Sequence, residues 1–324
     1  MIKLNGFEID FKEFPNGESF ADISDSIIPY DGDVIRDSFT GDYIYKSGYN
    51  KIHLKFENDK DIFHLMCIKD YVDTKWGNLP CILEMPYIPY SRMDRQEEKR
   101  LFTLKTFANL INSMNFTYVK VMEPHSEVSV ALIDRVKVEN KSADLALKAM
   151  RDILGLQGSC WLQDSLYGDI HMNKADMFKQ AREAGIYFVY PDAGAEKRYR
   201  KQIKYDKVLT CSKDRDFNTG RINSIEINGA DKIDDCKIAI IIDDLSSRGG
   251  TFIGSAQALR KAFPNIEEIV LCVTHCENTI YEGEVLTGTD ITKVFTTNSI
   301  LRVPGYNEET NFDKNKLIVE NVRG

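Results

Sequence analysis

The stretch KIAIIIDDLSSRGGTFIGSAQALRKAF, residues 237–263, opens as an apolar run, breaks at two adjacent carboxylates, passes a glycine pair and resumes with helical spacing. The run reads as a buried strand with Asp243 and Asp244 at its tip. TFIGSAQALRKAF reads as a helix whose N-terminus points at whatever the loop holds. Each carboxylate accepts hydrogen bonds from hydroxyls, and a vicinal diol offers matched donors. Gly249, Gly250 and Thr251 let backbone N–H groups and a hydroxyl close around a phosphate. Diol plus phosphate describes a ribose phosphate. The plainer reading of the same residues is a strand-to-helix turn, with an acid near the cap and glycines for tight geometry.

Outward from this loop, short runs rich in Val, Ile and Tyr recur: CILEMPYIPY, TYVKVME, IYFVYPD and EEIVLCVTH. Helix-period segments lie between several of them, which is the pattern of mainly parallel α/β sheets. EEKRLFTLKTFANLINSM (97–114) predicts a helix with Leu101, Leu104, Phe107, Ala108, Ile111 and Met114 on one apolar stripe. Strands end in similar polar punctuation at PYSRMDR (89–95), PDAGAEKR (191–198) and DDLSSRGGT (243–251). Ligands of open α/β sheets sit outside the carboxyl ends of strands, so these ends predict one composite site.

The chain has 324 residues, 43% of them apolar, enough for two domains of ordinary size. A net charge of −8 with interspersed signs gives no basic stripe for nucleic acid or anionic lipid. Seven scattered cysteines fit reduced thiols better than a disulfide framework, which predicts a cytoplasmic protein. MIKLNGFEIDFKEF has no signal-peptide core, and no apolar run is long enough to span a bilayer. CVTHC (272–276) is read as a strand end rather than a zinc site, because its side chains cannot all face one ion. Trp76 and Trp161 are read as packing residues.

DDLSSRGGT resembles the ribose-phosphate loop shared by type I phosphoribosyltransferases and ribose-phosphate pyrophosphokinases. PYSRMDR resembles the kinases' ATP loop, and PDAGAEKR their segment between ATP and ribose sites. EFPNGES (13–19) resembles the segment that reaches a neighbouring subunit's adenine, and SKDRD (212–216) the mobile catalytic strand with its Lys-x-Arg. The order and spacing match the pyrophosphokinases over about residues 13–276.

The resemblance implies an α/β fold of two phosphoribosyltransferase-like domains, each a mainly parallel sheet flanked by helices. Residues 1–145 would form an ATP-binding domain trimmed at its start and 146–300 a ribose-phosphate-binding domain. Residues 301–324 would form an extension packing back on the first. It implies transfer of the β,γ-pyrophosphoryl group of ATP to the C1 hydroxyl of a 5-phosphorylated ribose, with Mg2+ and release of AMP. Lys213 and Arg215 match the catalytic pair. Arg92, Met93, Asp94, Arg95 and His125 match ATP-binding positions, as do Phe14, Asn16 and Glu18 from the adjacent protomer. A homo-oligomer, dimer or hexamer, with shared active sites is therefore expected. Asp243, Asp244, Ser246, Ser247, Arg248, Gly249, Gly250 and Thr251 match the ribose-phosphate loop. His125, Asp192 and Glu123 match the metal side, and Thr274 and His275 also match a family sequence.

The pattern breaks at Ser247-Arg248, where the family has an acid followed by threonine. One negative charge lost and one positive gained predict a pocket tolerant of more negative charge, as on an acceptor with a diphosphate on C5 such as ADP-ribose. This resembles a viral branch found beside nicotinamide-salvage enzymes and predicts a role in NAD or nucleotide synthesis. Arg248 binding the ordinary monophosphate, or pointing to solvent, is the simpler alternative, so ribose 5-phosphate and ADP-ribose both stand. Met93 replaces the usual Gln of the ATP loop and Glu123-Pro124-His125 the usual Asp-Leu-His. Other classes to separate are a phosphoribosyltransferase, which needs no ATP loop, and a non-catalytic relative.

Overall fold

A computed structural model describes residues 1–31, 35–36, 43–44, 48–96, 99–156, 174–215, 222–305 and 308–322. For 35–36, 43–44, 214–215 and 222–223 it describes the backbone alone. Cys160, Trp161, Asp216 and the Arg215 side chain lie outside the described residues. The chain divides into two compact units, one of Met1–Glu139 with Val322–Gly324, the other of Asn140–Asn321.

The first unit runs β1 (Ile2–Leu4), β2 (Phe7–Glu8), β3 (Lys12–Glu13), β4 (Ser19–Phe20), β5 (Ile35–Arg36), β6 (Tyr43–Ile44), β7 (Asn50–Leu54), α1 (Lys60–Trp76), β8 (Cys81–Glu84), α2 (Thr103–Ser113), β9 (Tyr118–Met122), α3 (Glu127–Leu132) and β10 (Val136–Glu139). Its six-stranded sheet has the order β10-β9-β8-β7-β1-β2. β7 to β10 are parallel, while β1 joins β7 antiparallel and pairs with β2 as a hairpin. Ile52, Leu54, Leu83, Val119 and Val121 face Leu65, Ile68 and Val72 of α1 and Leu104, Phe107, Ala108 and Ile111 of α2 in one core. Alternation along the strands puts these residues on a common face, as period-two geometry requires. α2 starts later than the apolar stripe predicts: Leu101 lies outside it and is 76% exposed, and Met114 is the C-cap.

The second unit runs α4 (Ser142–Ile153), α5 (Lys174–Glu183), β11 (Ile186–Tyr190), α6 (Ala193–Ile203), β12 (Val208–Arg215), β13 (Ile222–Asn228), β14 (Ile238–Ser246), α7 (Gly250–Ala262), β15 (Glu268–Cys276), α8 (Glu284–Thr287), β16 (Lys293–Thr297) and β17 (Leu317–Glu320). Its seven-stranded sheet has the order β13-β12-β11-β14-β15-β16-β17, parallel except for β13. Both faces are covered. α7 and α8 bury Ile241, Leu271 and Val273 on one side; α4, α5 and α6 bury Ile240, Ile242, Val270 and Cys272 on the other. That double burial explains why IYFVY and IAIII read as continuous apolar runs. The chain leaves β11 toward β12 on one side and returns to β14 on the other, so the crevice between β11 and β14 is a topological switch point.

The described cysteines are free: Cys67 is exposed, while Cys81, Cys211, Cys236, Cys272 and Cys276 are buried. No described helix is long and apolar enough to cross a membrane.

Candidate functional site

In the second unit, Asp192 follows β11 and Asp243 and Asp244 lie near the end of β14, so the carboxylates come together at the switch point. Asp192 is the N-cap of α6 and accepts a hydrogen bond from the Ala195 N–H at 3.0 Å, the usual role of a capping acid. Its other oxygen receives the Lys213 ammonium at 2.9 Å. Burial alone would raise the Asp192 pKa, but the Ala195 amide and Lys213 bring it below the ordinary carboxylate value. Lys213 is 10% exposed and comes from β12, opposite Ile225 of β13. The backbone of Arg215 is a strand residue beyond an irregularity between Asp214 and Arg215.

Asp243 has its carboxyl pushed well above the ordinary value by burial, by Asp244 and by Asp192. Its backbone oxygen accepts from the Ser142 hydroxyl at 2.8 Å, and Ser142 meets the Thr274 hydroxyl at 2.7 Å. Thr297 donates to the Thr274 carbonyl at 2.7 Å, and His275 Nδ1 lies 2.8 Å from the Ser299 hydroxyl. Thr274 and His275 are thus buried partners that brace the strand ends. Asp244 is buried and has the Arg198 guanidinium 3.4 Å from its Oδ2. Arg198 extends from α6, two turns after its cap. PDAGAEKR contained it, but no sequence signal ties it to Asp244.

The loop after β14 is set by Gly249, the N-cap of α7, whose φ is +79°. A Cβ there would lie 2.1 Å from Val285 Cγ2, so glycine serves both the left-handed backbone and the close packing. Gly249, Gly250 and Thr251 present N–H groups that lack intrahelical acceptors, and a Cβ on Gly250 would meet only open space. That is room for an anion. Around the loop runs a collar the sequence did not announce. Glu277 N–H donates to the Ser246 carbonyl at 2.8 Å, and the Ser247 and Thr279 hydroxyls are 3.0 Å apart. Arg248 places Nε at 3.1 Å and Nη2 at 2.5 Å from one oxygen of Glu282. The charge gained at Arg248 is therefore offset by an acid thirty-four residues away.

In the first unit, Phe14, Asn16 and Glu18 lie in or beside the β3–β4 hairpin. Phe14 stacks on Phe20 at 4.5 Å and is 51% exposed; Asn16 donates to Glu18 at 2.8 Å. The loop after β8 carries Arg92, Met93, Asp94 and Arg95, with the two arginines exposed. Met93 N–H donates to the Tyr90 carbonyl at 2.9 Å, and Thr103 donates to its sulfur at 3.2 Å. Hairpin and loop converge on the start of α1, where Lys60 meets Glu13 and Asp59 accepts from the Tyr90 hydroxyl, each at 2.6 Å. Burial, then Asp59, pushes the Tyr90 pKa up to about 12. Glu123, buried with φ +39°, and His125 follow β9.

Among the described residues no three His, Cys, Asp or Glu side chains form a metal cluster. The donors nonetheless suit a hard cation: magnesium takes one or two carboxylates and completes its shell with water and phosphate oxygens, and Asp192 has the right chemistry. Asp192 belongs to one unit, Glu123 and His125 to the other.

No protein-family model matches the sequence, and no curated protein matches it significantly. A likeness to a hypothetical protein from Neisseria gonorrhoeae with bound ppGpp covers 32% of this chain and 64% of that one. Its identity is 13% and its TM-score 0.21, too slight to support any reading. The crystal structure of phosphoribosylpyrophosphate synthetase from Mycobacterium smegmatis is similar over 97% of this chain and 86% of that one, with 16% identity and a TM-score of 0.62. What the two share is architecture: the protein has a phosphoribosylpyrophosphate-synthetase-like fold, with two mainly parallel sheets flanked by helices.

Proposed function

We propose that the protein is an ATP-dependent pyrophosphokinase acting on the C1 hydroxyl of a 5-phosphorylated ribose. One observation carries this reading: the Asp192–Lys213 pair stands at the same switch point as the Asp243-Asp244 tip and its glycine turn. A phosphoribosyltransferase shares the tip and turn, and formation of AMP from ATP separates the two. In the reaction, the C1 oxygen bonds to the β-phosphorus and the bond to the α-phosphate's bridging oxygen breaks. AMP leaves with that electron pair, and the hydroxyl proton is released.

Asp243 and Asp244 accept from the ribose hydroxyls, and the N–H groups of Gly249 to Thr251 hold the 5-phosphate. Lys213 leaves Asp192 for the transferring phosphoryl oxygens, where a fixed cation lowers the barrier. Arg215 is assigned the same role. Arg92, Met93, Asp94, Arg95 and His125 hold ATP. Phe14, Asn16 and Glu18 close on a neighbouring protomer's adenine, which calls for a homo-oligomer with shared sites. Asp192 of the second unit and Glu123 and His125 of the first would each offer a ligand to Mg2+, which when bound would neutralise charge on the phosphates. The acceptor is ribose 5-phosphate or ADP-ribose, and the product feeds nucleotide or NAD synthesis in the cytoplasm.

The test is incubation with ATP, magnesium and either acceptor, with products identified by mass. AMP together with an acceptor heavier by one pyrophosphoryl group is expected. No AMP and an unchanged acceptor, with turnover only when a C1-pyrophosphorylated sugar and a base are supplied, would instead mark a phosphoribosyltransferase.

A further inference from the structure

Arg248 departs from the pattern that the rest of its loop follows, and the structure gives it a partner. Both donors of its guanidinium converge on one Glu282 oxygen, at 2.5 and 3.1 Å. The backbone at Arg248 is held by its neighbours. Ser246 and Ser247 are bonded to Glu277 and Thr279, and a Cβ on Gly283 would lie 2.1 Å from the Arg248 carbonyl oxygen. Only the side chain is free to move. It is 70% exposed and Glu282 is 55% exposed, so both charges stand in solvent at the rim. Exposed pairs of this kind add at most about fivefold to an equilibrium. A phosphate can therefore displace the carboxylate.

Total charge does not separate the two acceptors. A terminal phosphate monoester carries about −1.5 to −2 at neutral pH. An internal diphosphate carries one charge on each phosphate. What differs is where the second charge lies. The phosphate next to the sugar is served by the N–H groups at Gly249 to Thr251, with room above Gly250. The Arg248 side chain turns instead to Glu282 at the exposed rim, where it can meet a charge farther along the acceptor.

We propose that Glu282 is a specificity-determining residue: it holds Arg248 at the rim of the phosphate loop and yields it to an acceptor whose 5-phosphate carries a second, esterified phosphate. This rests on the pyrophosphokinase reading and names which part of the acceptor the rim senses. Neutralising Glu282 releases Arg248 to the distal phosphate and leaves the proximal one unaffected.

The test is calorimetric binding of ADP-ribose and ribose 5-phosphate to the full chain, without ATP, for the wild type, Glu282→Gln, Arg248→Gln and the double variant. Glu282→Gln should tighten ADP-ribose by about three- to fivefold and change ribose 5-phosphate less than about twofold. Arg248→Gln should weaken ADP-ribose about tenfold, and the double variant should behave like it. Equal tightening of both ligands, or a gain that survives in the double variant, overturns the proposal. So does an unchanged affinity ratio, and if the wild type still forms AMP then only this inference falls. A wild type that binds neither ligand and forms no AMP removes the pyrophosphokinase reading and this inference together.

Discussion

The two units use the same strand-end rule but secure their loops differently. In the second, side chains from β12, α6 and α4 touch the candidate carboxylates and strand end directly: Lys213 on Asp192, Arg198 on Asp244, and Ser142 on the Asp243 carbonyl. In the first, the hairpin and the loop after β8 are held through a third element, the start of α1. The sheets explain the contrast. Covering both faces fixes the ends of β11, β14 and β15 from two sides, so their loops need little further support. The first unit's core gathers α1 and α2 on its strands, and its loop and hairpin depend on exposed or partly exposed polar ties. Direct contact suits groups that handle the reacting bond; indirect ties suit groups that admit and release a ligand.

The largest expected effect comes from removing the lysine in the tighter unit. Lys213→Ala should lower AMP formation about a thousandfold with a cooperative melt retained, and wild-type turnover in that variant would break the contrast. Next is Asp244→Asn, which leaves Arg198 without its carboxylate. Acceptor KM should rise roughly a hundredfold while ATP KM moves little, corresponding to about 2–3 kcal/mol for a charged hydrogen-bonding group. Gly249→Ala should cost about 1–3 kcal/mol in chemical denaturation, since it adds left-handed strain to a clash with Val285.

Proton linkage sharpens the contrast within the second unit. Asp192 has a lowered folded pKa, so its contribution is present above the unfolded value near 4 and lost as pH falls through the folded one. Asp243 has a raised one, so stability declines from about pH 4 upward while affinity for a diol climbs as the acceptor carboxylate ionises. Melting temperature and acceptor KM measured across pH should therefore fall together as pH rises along the Asp243 limb. The smallest effect belongs to the first unit. Glu13→Gln should leave the melting temperature unchanged within error, because its tie to Lys60 is solvent-exposed.

The second unit was the more legible of the two. Buried parallel strands write themselves as unbroken Val and Ile runs, and the Asp243-Asp244 tip with its glycines is a local pattern. Glu282 and Arg198 were illegible because their partners are set by the fold, thirty-four and forty-six positions away. α1 was missed for a different reason. It exposes Phe63 and Met66 and buries Asp61, His64 and Lys69, so its hydrophobic period is scrambled. The i,i+4 spacing allows the Lys69–Asp73 pair at 2.5 Å, but the Phe116 ring 5.4 Å from the Lys69 ammonium comes from forty-seven residues away and no local pattern foresees it.

The neighbouring positions of Asp59 and Lys60 restrict how this chain can change length. Each helical residue turns the axis by about 100°, so one inserted residue at the helix start would swing at least one tie off its partner. A residue gained or lost between 55 and 60 should therefore uncouple the hairpin or the loop after β8 from the helix at little cost to the fold itself.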